Sequence, residues 1–150
     1  MGKRSGPTPA RRVELRAPAS TSNLGPGFDS IGLALELYNE FLFERTESGL
    51  EIIVEGEGAD VLERGRASRT YRAFRAACQA AGGEPPGLRI LQRNRIPLAR
   101  GLGGSGTAVL AGTIAGFLFA GVEPETARVL DQSFTIETHP DNLTPSLVGG

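Results

Sequence analysis

A turn almost bare of side chains, Arg100-Gly101-Leu102-Gly103-Gly104-Ser105-Gly106-Thr107, runs straight into the apolar stretch 108–120, and this junction constrains the fold more than any other feature of the chain. Four glycines in six residues let a ligand reach the backbone. A helix over about 105–120 would aim its unpaired N–H groups and the positive end of its dipole at that ligand, so the expected guest is an anion such as phosphate. Gly112 and Gly116 would let the same helix pack closely against a sheet.

The kind of phosphate site is narrowed by an absence. Among 16 basic residues the only lysine is Lys3. A Walker-type loop needs a lysine directly after its second glycine, but Thr107 and Ala108 follow Gly106. Protein-kinase and pyridoxal-phosphate chemistry also require a lysine embedded in the fold. Gly101, Gly103 and Gly106 do spell G-x-G-x-x-G, yet the strand candidate 88–91 is separated from them by polar residues 92–95 and Pro97. The acids some 20 residues on, Glu123 and Glu125, flank Pro124 at a helix start instead of ending a second strand, so the context disfavours a dinucleotide fold.

A chain of 150 residues with 39% hydrophobic content supports one domain with one core. A net charge of -1 argues against nucleic-acid or anionic-membrane partners. The single cysteine, Cys78, shares a helical face with Tyr71, Phe74 and Ala81, which assigns it to packing. Residues 1–12 are basic with no apolar core of a secretory signal, and the glycine-interrupted run 109–122 falls short of a membrane span. The expectation is a soluble, cytoplasmic chain.

Alternation of Val13, Leu15 and Ala17 predicts a strand ahead of a loop at 18–27, with further strands at 31–35, 38–43 and 50–54. A helix over about 67–81 stops at Gly82-Gly83, and 88–91 returns as a strand. After the helix at 105–120, another starts at Pro124 and runs through Leu130 toward Glu137, while Leu147-Val148 read as the start of a strand. Strands grouped first and helices later predict an α+β fold, preceded by a disordered basic tail at 1–12.

Three segments then carry a resemblance. Pro18-Ala19-Ser20-Thr21-Ser22-Asn23-Leu24-Gly25-Pro26-Gly27-Phe28-Asp29-Ser30-Ile31-Gly32-Leu33-Ala34-Leu35 resembles the first motif of homoserine kinases, of the GHMP small-molecule kinase superfamily. Residues 97–107 are similar to the superfamily's P-x-x-x-G-L-G-S-S-A loop. Glu137-Thr138-His139-Pro140-Asp141-Asn142-Leu143-Thr144-Pro145-Ser146-Leu147-Val148-Gly149-Gly150 resembles the E-G-H-P-D-N-V-A-P-A-L-x-G-G segment of the homoserine kinases. The loop alone indicates only the superfamily; the flanking segments pick out the family.

The resemblance implies an N-terminal domain of the ribosomal protein S5 domain 2-like type over 13–150, a mostly antiparallel sheet with helices on one side, ending before a second domain. It implies phosphoryl transfer from ATP to the hydroxyl of homoserine, with magnesium, in threonine biosynthesis. Pro97, Leu98, Ala99, Arg100, Gly101, Leu102, Gly103, Gly104, Ser105, Gly106 and Thr107 would hold the ATP phosphates, and Ser68 would lie at the base. Ser105 and Glu137 match the magnesium ligands, oxygen donors suited to a hard cation. Asn23, Asp29 and His139 match positions that hold homoserine. Asn142 stands where many relatives carry a catalytic aspartate, which implies positioning and charge stabilisation, a role that a loose phosphoryl-transfer transition state accommodates. A homodimer is among the assemblies the resemblance allows.

The departures also have consequences. Gly104 and Gly106 replace serine and alanine, and Thr107 replaces a second alanine, predicting a more flexible and more polar loop. Thr138 replaces a glycine, and Ser68-Arg69-Thr70-Tyr71 aligns with N-L-V-Y. Two other readings stay open: another GHMP kinase acting on a different small alcohol, and a non-catalytic relative that binds a nucleotide.

Overall fold

The computed structural model describes residues 6–22, 32–138 and 140–149. Asn23, Asp29 and His139 lie outside the described residues.

The order of elements is β1 (Arg12–Thr21), β2 (Leu33–Thr46), β3 (Gly49–Gly56), α1 (Arg69–Ala81), β4 (Gly87–Asn94), α2 (Gly104–Phe119), α3 (Thr126–Ser133) and α4 (Pro140–Val148). The strands lie in the order β1-β2-β4-β3; β1/β2 and β2/β4 are antiparallel and β3/β4 is parallel. The fold is α+β, as the grouping of strand and helix signals predicts.

Alternation decides which face of the sheet meets the helices. Val13 and Ala17 of β1, Phe41 and Phe43 of β2, Ile52 and Val54 of β3, and Leu88 and Ile90 of β4 are buried against α1 and α2. Phe74 of α1 stacks on Phe43 with centroids 5.7 Å apart and meets Phe119 of α2 edge-on at 5.2 Å. The opposite face carries charge: Glu44 sits near Arg12 and Arg89, Arg89 near Glu51, and Arg93 pairs with Glu55. These pairs are solvent-exposed and each contributes little to stability.

Helix α2 is apolar all round because it is covered all round. On one side it meets the sheet and α1; on the other Val109, Leu110 and Phe117 join Val129 of α3 and Leu143 of α4. Gly112 and Gly116 face α1, where a Cβ would run into the carbonyl oxygens of Thr70 and Phe74. The expected close packing is therefore between the two helices. No described helix is long and apolar enough to cross a membrane.

Several boundaries differ from the sequence reading, each for a local reason. Pro18 belongs to β1, tolerated beside a register shift between Pro18 and Ser20 on an edge strand. The two strands expected at 31–35 and 38–43 are one strand, whose extra residues that shift absorbs. The tail expected to be disordered to residue 12 is held at its inner end, since the Ala10 N–H donates to the Leu118 carbonyl at 2.9 Å. Helix α3 begins after Pro124 and stops at Ser133, whose hydroxyl donates to Thr113 Oγ1 at 3.2 Å, so Glu137 lies beyond the helix. Leu147 and Val148 end helix α4 and start no strand; the Gly149 N–H donates to the Pro145 carbonyl at 2.9 Å with Gly149 at φ +81°, a glycine stop.

Strands β2 and β3 are joined by Glu47 and Ser48 alone, yet β4 lies between them. The link arches over Gly87, where a Cβ would strike Thr46 Oγ1 and the Ser48 backbone.

Candidate functional site

The glycine turn leaves β4 at Asn94 and enters α2 at Gly104. Gly101 and Gly103 adopt left-handed φ values of +67° and +71°, and Ala99 does so at +55°. Gly103 caps α2 with no side chain over the helix end, which keeps the first-turn N–H groups open to a ligand. Ala99, Arg100 and Gly101 form the exposed outer turn; Leu98, Gly104 and Ser105 line a cavity of about 300 Å3.

Neighbouring elements pin this turn. The Ser20 N–H donates to the Leu102 carbonyl at 2.9 Å, tying the turn to β1. From β2, buried Asn39 accepts the N–H groups of Arg95 and Ile96 at 2.8 and 3.0 Å and donates to Thr107 Oγ1 at 3.2 Å. The Thr107 hydroxyl donates to the Gly104 carbonyl at 2.6 Å. Thr107 is wholly buried, so the polar departure from the family pattern is satisfied internally and fastens the turn that the sequence suggests is looser.

Glu137 is brought to the mouth of α2 by the turn after α3. It is 5% exposed, and its Oε2 accepts Ser105 Oγ at 3.1 Å and Arg69 Nη1 at 3.1 Å. The pair expected to ligate a metal thus meets at one oxygen. Asn142, in the first turns of α4, stands on the other side of the turn: its Oδ1 and carbonyl accept Ser20 Oγ at 3.3 and 2.9 Å. A Cβ on Gly103 would come within 3.4 Å of the Asn142 Cβ, so Asn142 sits against the glycine turn. Helix α4 is held there by Ser22 Oγ donating to Asp141 Oδ2 at 2.6 Å and Ser146 Oγ donating to the Pro18 carbonyl at 2.7 Å.

Ser68 lines the cavity but also caps α1, accepting the Tyr71 N–H at 3.4 Å. Behind it a string of buried polar side chains forms the cavity floor. Thr70 Oγ1 donates to Gln92 Oε1 at 2.8 Å, Gln92 Nε2 donates to Asn94 Oδ1 at 3.0 Å, and Asn94 Nδ2 donates to the Glu57 carbonyl at 3.1 Å. Sequence reasoning missed Asn39, Gln92, Asn94 and Arg69. A signal for three of them existed: Asn39, Gln92 and Asn94 are polar residues in the inward phase of strands whose other inward positions are apolar.

Charge and donors make the mouth of α2 a place for an anion bridged by a cation. The N-terminus of α2 opens there, Ser68 and Arg69 at the start of α1 line the same cavity, and Ser105 and Glu137 offer neighbouring oxygens.

A family model described as the GHMP kinases N terminal domain matches residues 68–150. The chain is similar to the homoserine kinase of Streptomyces coelicolor, 44% identical over 144 residues that cover 94% of this chain and 47% of that protein. The chain thus spans about half the length of the curated relatives it matches. Its fold is that of the homoserine kinase of Cytophaga hutchinsonii, with a TM-score of 0.78 at 24% identity over 94% of this chain and 47% of that one. The Methanococcus jannaschii mevalonate kinase shares the fold, with a TM-score of 0.73 at 15% identity over 93% and 52%.

Proposed function

From the premise that this chain belongs to the GHMP kinase family, we propose that it supplies the ATP- and metal-binding part of a kinase that phosphorylates the hydroxyl of L-homoserine. The observation that carries the reading is the meeting of Ser105 and Glu137 at one oxygen, beside an uncapped helix end and a left-handed glycine turn. The choice of homoserine rests on the name borne by relatives such as that of Streptomyces coelicolor.

The N–H groups of residues 101–106 would cradle the phosphates, that of Thr107 donating instead to the Gly103 carbonyl at 3.1 Å, and Ser68 with the polar cavity floor would face the base. Two oxygen donors, one a buried carboxylate, fit magnesium, which keeps phosphate and water oxygens as its other ligands. Bound magnesium would supply charge neutralisation on the phosphates it bridges. Asn142, held by Ser20 against the glycine turn, would orient the reacting groups by hydrogen bonding, since an amide is no base. Asn23 and Asp29 would take the homoserine ammonium side and His139 an oxygen. The reaction would belong to threonine biosynthesis in the cytoplasm.

The test uses the natural protein carrying this chain, assayed for ADP release with L-homoserine, mevalonate, galactose and shikimate. Homoserine is expected to be turned over in preference; preferential use of any other alcohol refutes the substrate assignment. Glu137→Gln is expected to lower kcat on the order of 100-fold, the scale for losing one preorganised electrostatic group, with the circular dichroism spectrum unchanged.

A further inference from the structure

The resemblance assigns no role to Arg69. It is the first residue of α1, directly after the cap Ser68, and its Nη1 bonds the same Glu137 oxygen that Ser105 reaches. The two partners are held differently. The carboxylate of Glu137 is buried, whereas the Arg69 side chain is 54% exposed and attached to it at Nη1. The carboxylate is therefore fixed behind the cavity lining, and the half-exposed guanidinium lines the cavity with capacity for further donation. Among the described residues lining the cavity, Arg69 is the one cation, with Glu63 the one anion.

Electrostatics gives this arrangement a purpose. A buried carboxylate beside a phosphate site repels a polyanion through a low-dielectric wall, and a cation on the same oxygen cancels that repulsion. The planar fork of arginine also matches phosphate oxygens better than a point charge does. The open N-terminus of α2 acts in the same direction.

We propose that Arg69 is a phosphate-binding residue that also serves as the resident counter-ion of Glu137. Without a metal its Nη1 would stay on Oε2 while its remaining N–H groups donate to the phosphates; with a metal on that carboxylate the guanidinium would serve the phosphates alone. The proposal rests on the reading of this site as an ATP site, and it adds that the site accepts ATP even before a metal is present.

Calorimetric titration of the natural protein carrying this chain with ATP, in EDTA and in excess magnesium, tests it. Arg69→Met is expected to weaken ATP binding in EDTA about tenfold or more, because both the counter-ion of Glu137 and a charged phosphate contact are lost, and to weaken it less in magnesium, where the metal supplies the counter-charge. Arg69→Lys keeps the charge without the fork and should fall between. Arg75→Met, which removes an exposed pair between α1 and Glu84 beyond its C-terminal end, should bind as the parent does. Equal affinity of the parent and Arg69→Met in EDTA overturns the role of Arg69 while leaving the ATP site standing. Should Arg69→Met fail to fold, an Arg69→Lys variant that binds like the parent overturns it equally. No ATP binding by the parent under either condition overturns the functional reading, and this proposal with it.

Discussion

Replacing Gly116 by alanine sets two effects of opposite sign against each other. In an isolated helix the change gains about 1 kcal/mol, because glycine has the greater backbone freedom to lose. Here the new Cβ would lie 2.7 Å from the Ala77 Cβ and closer still to the Phe74 carbonyl oxygen. Carbon atoms rest about 3.5–4.0 Å apart, so α1 and α2 must part by roughly 1 Å. Neither neighbour is the far end of a flexible side chain, so relief must come from moving a whole helix. Overpacking of this kind costs about 1–3 kcal/mol, and parting also stretches the Cys78 Sγ contact to the Gly116 carbonyl, now 3.4 Å. After subtracting the propensity gain, the net loss is about 0–2 kcal/mol, with Tm falling about 2–4 °C for each kcal/mol. The chain has no tryptophan, so urea unfolding is best followed by circular dichroism. A variant about 1 kcal/mol more stable than the parent would refute the reasoning and show that the seam between the helices has slack.

Two further expectations concern buried polar groups. Asn39→Ala strands the N–H groups of Arg95 and Ile96 and is expected to cost about 2–4 kcal/mol in urea unfolding, while raising the KM for ATP by loosening the glycine turn; a loss below about 0.5 kcal/mol would contradict it. Burial, and secondarily the Glu84 carboxylate, push the Cys78 thiol up to about 12, so native protein at pH 8 should resist alkylation until it unfolds. Because the folded state favours the protonated thiol, its contribution to stability is fully present below the unfolded value near 9 and declines as pH rises toward 12, which unfolding midpoints across that range would reveal.

What the sequence disclosed followed periodicity and backbone chemistry. Val13 and Ala17, and Phe41 with Phe43, announced their strands because a half-buried sheet forces a period of two. The glycine turn announced itself because the positive φ values at Gly101 and Gly103 favour residues without a Cβ. The reading failed where tertiary contacts outweighed local pattern. Residues 35–38 break the alternation, and only the partner strand tells that the break is a register shift inside one strand. Leu147 and Val148 look extended after Pro145, yet α4 absorbs the proline, whose ring lies against Gly32, where a Cβ would come within 2.7 Å of Pro145 Cγ. In the site, Ser105, Glu137 and Asn142 were legible by resemblance, and the structure brings them to one helix end. Arg69 and Asn39 were not, because their importance lies in partners far along the chain and in no motif.

The position of β4 also bears on how the protein reaches this state. By the time residues 87–94 leave the ribosome, β2 and β3 are already made, antiparallel in direction and joined by two residues. A two-residue link is the natural length of a hairpin, so these strands have a competing partner in each other. The native sheet requires them to stand two strand spacings apart, about 10 Å, with both inner edges open until β4 slides between. Insertion of a central strand delivers most of its contacts late and between distant segments, the pattern that slows folding and leaves strand edges exposed to other chains. Gly87, the one residue able to pass beneath the link, is the point at which that insertion must be threaded.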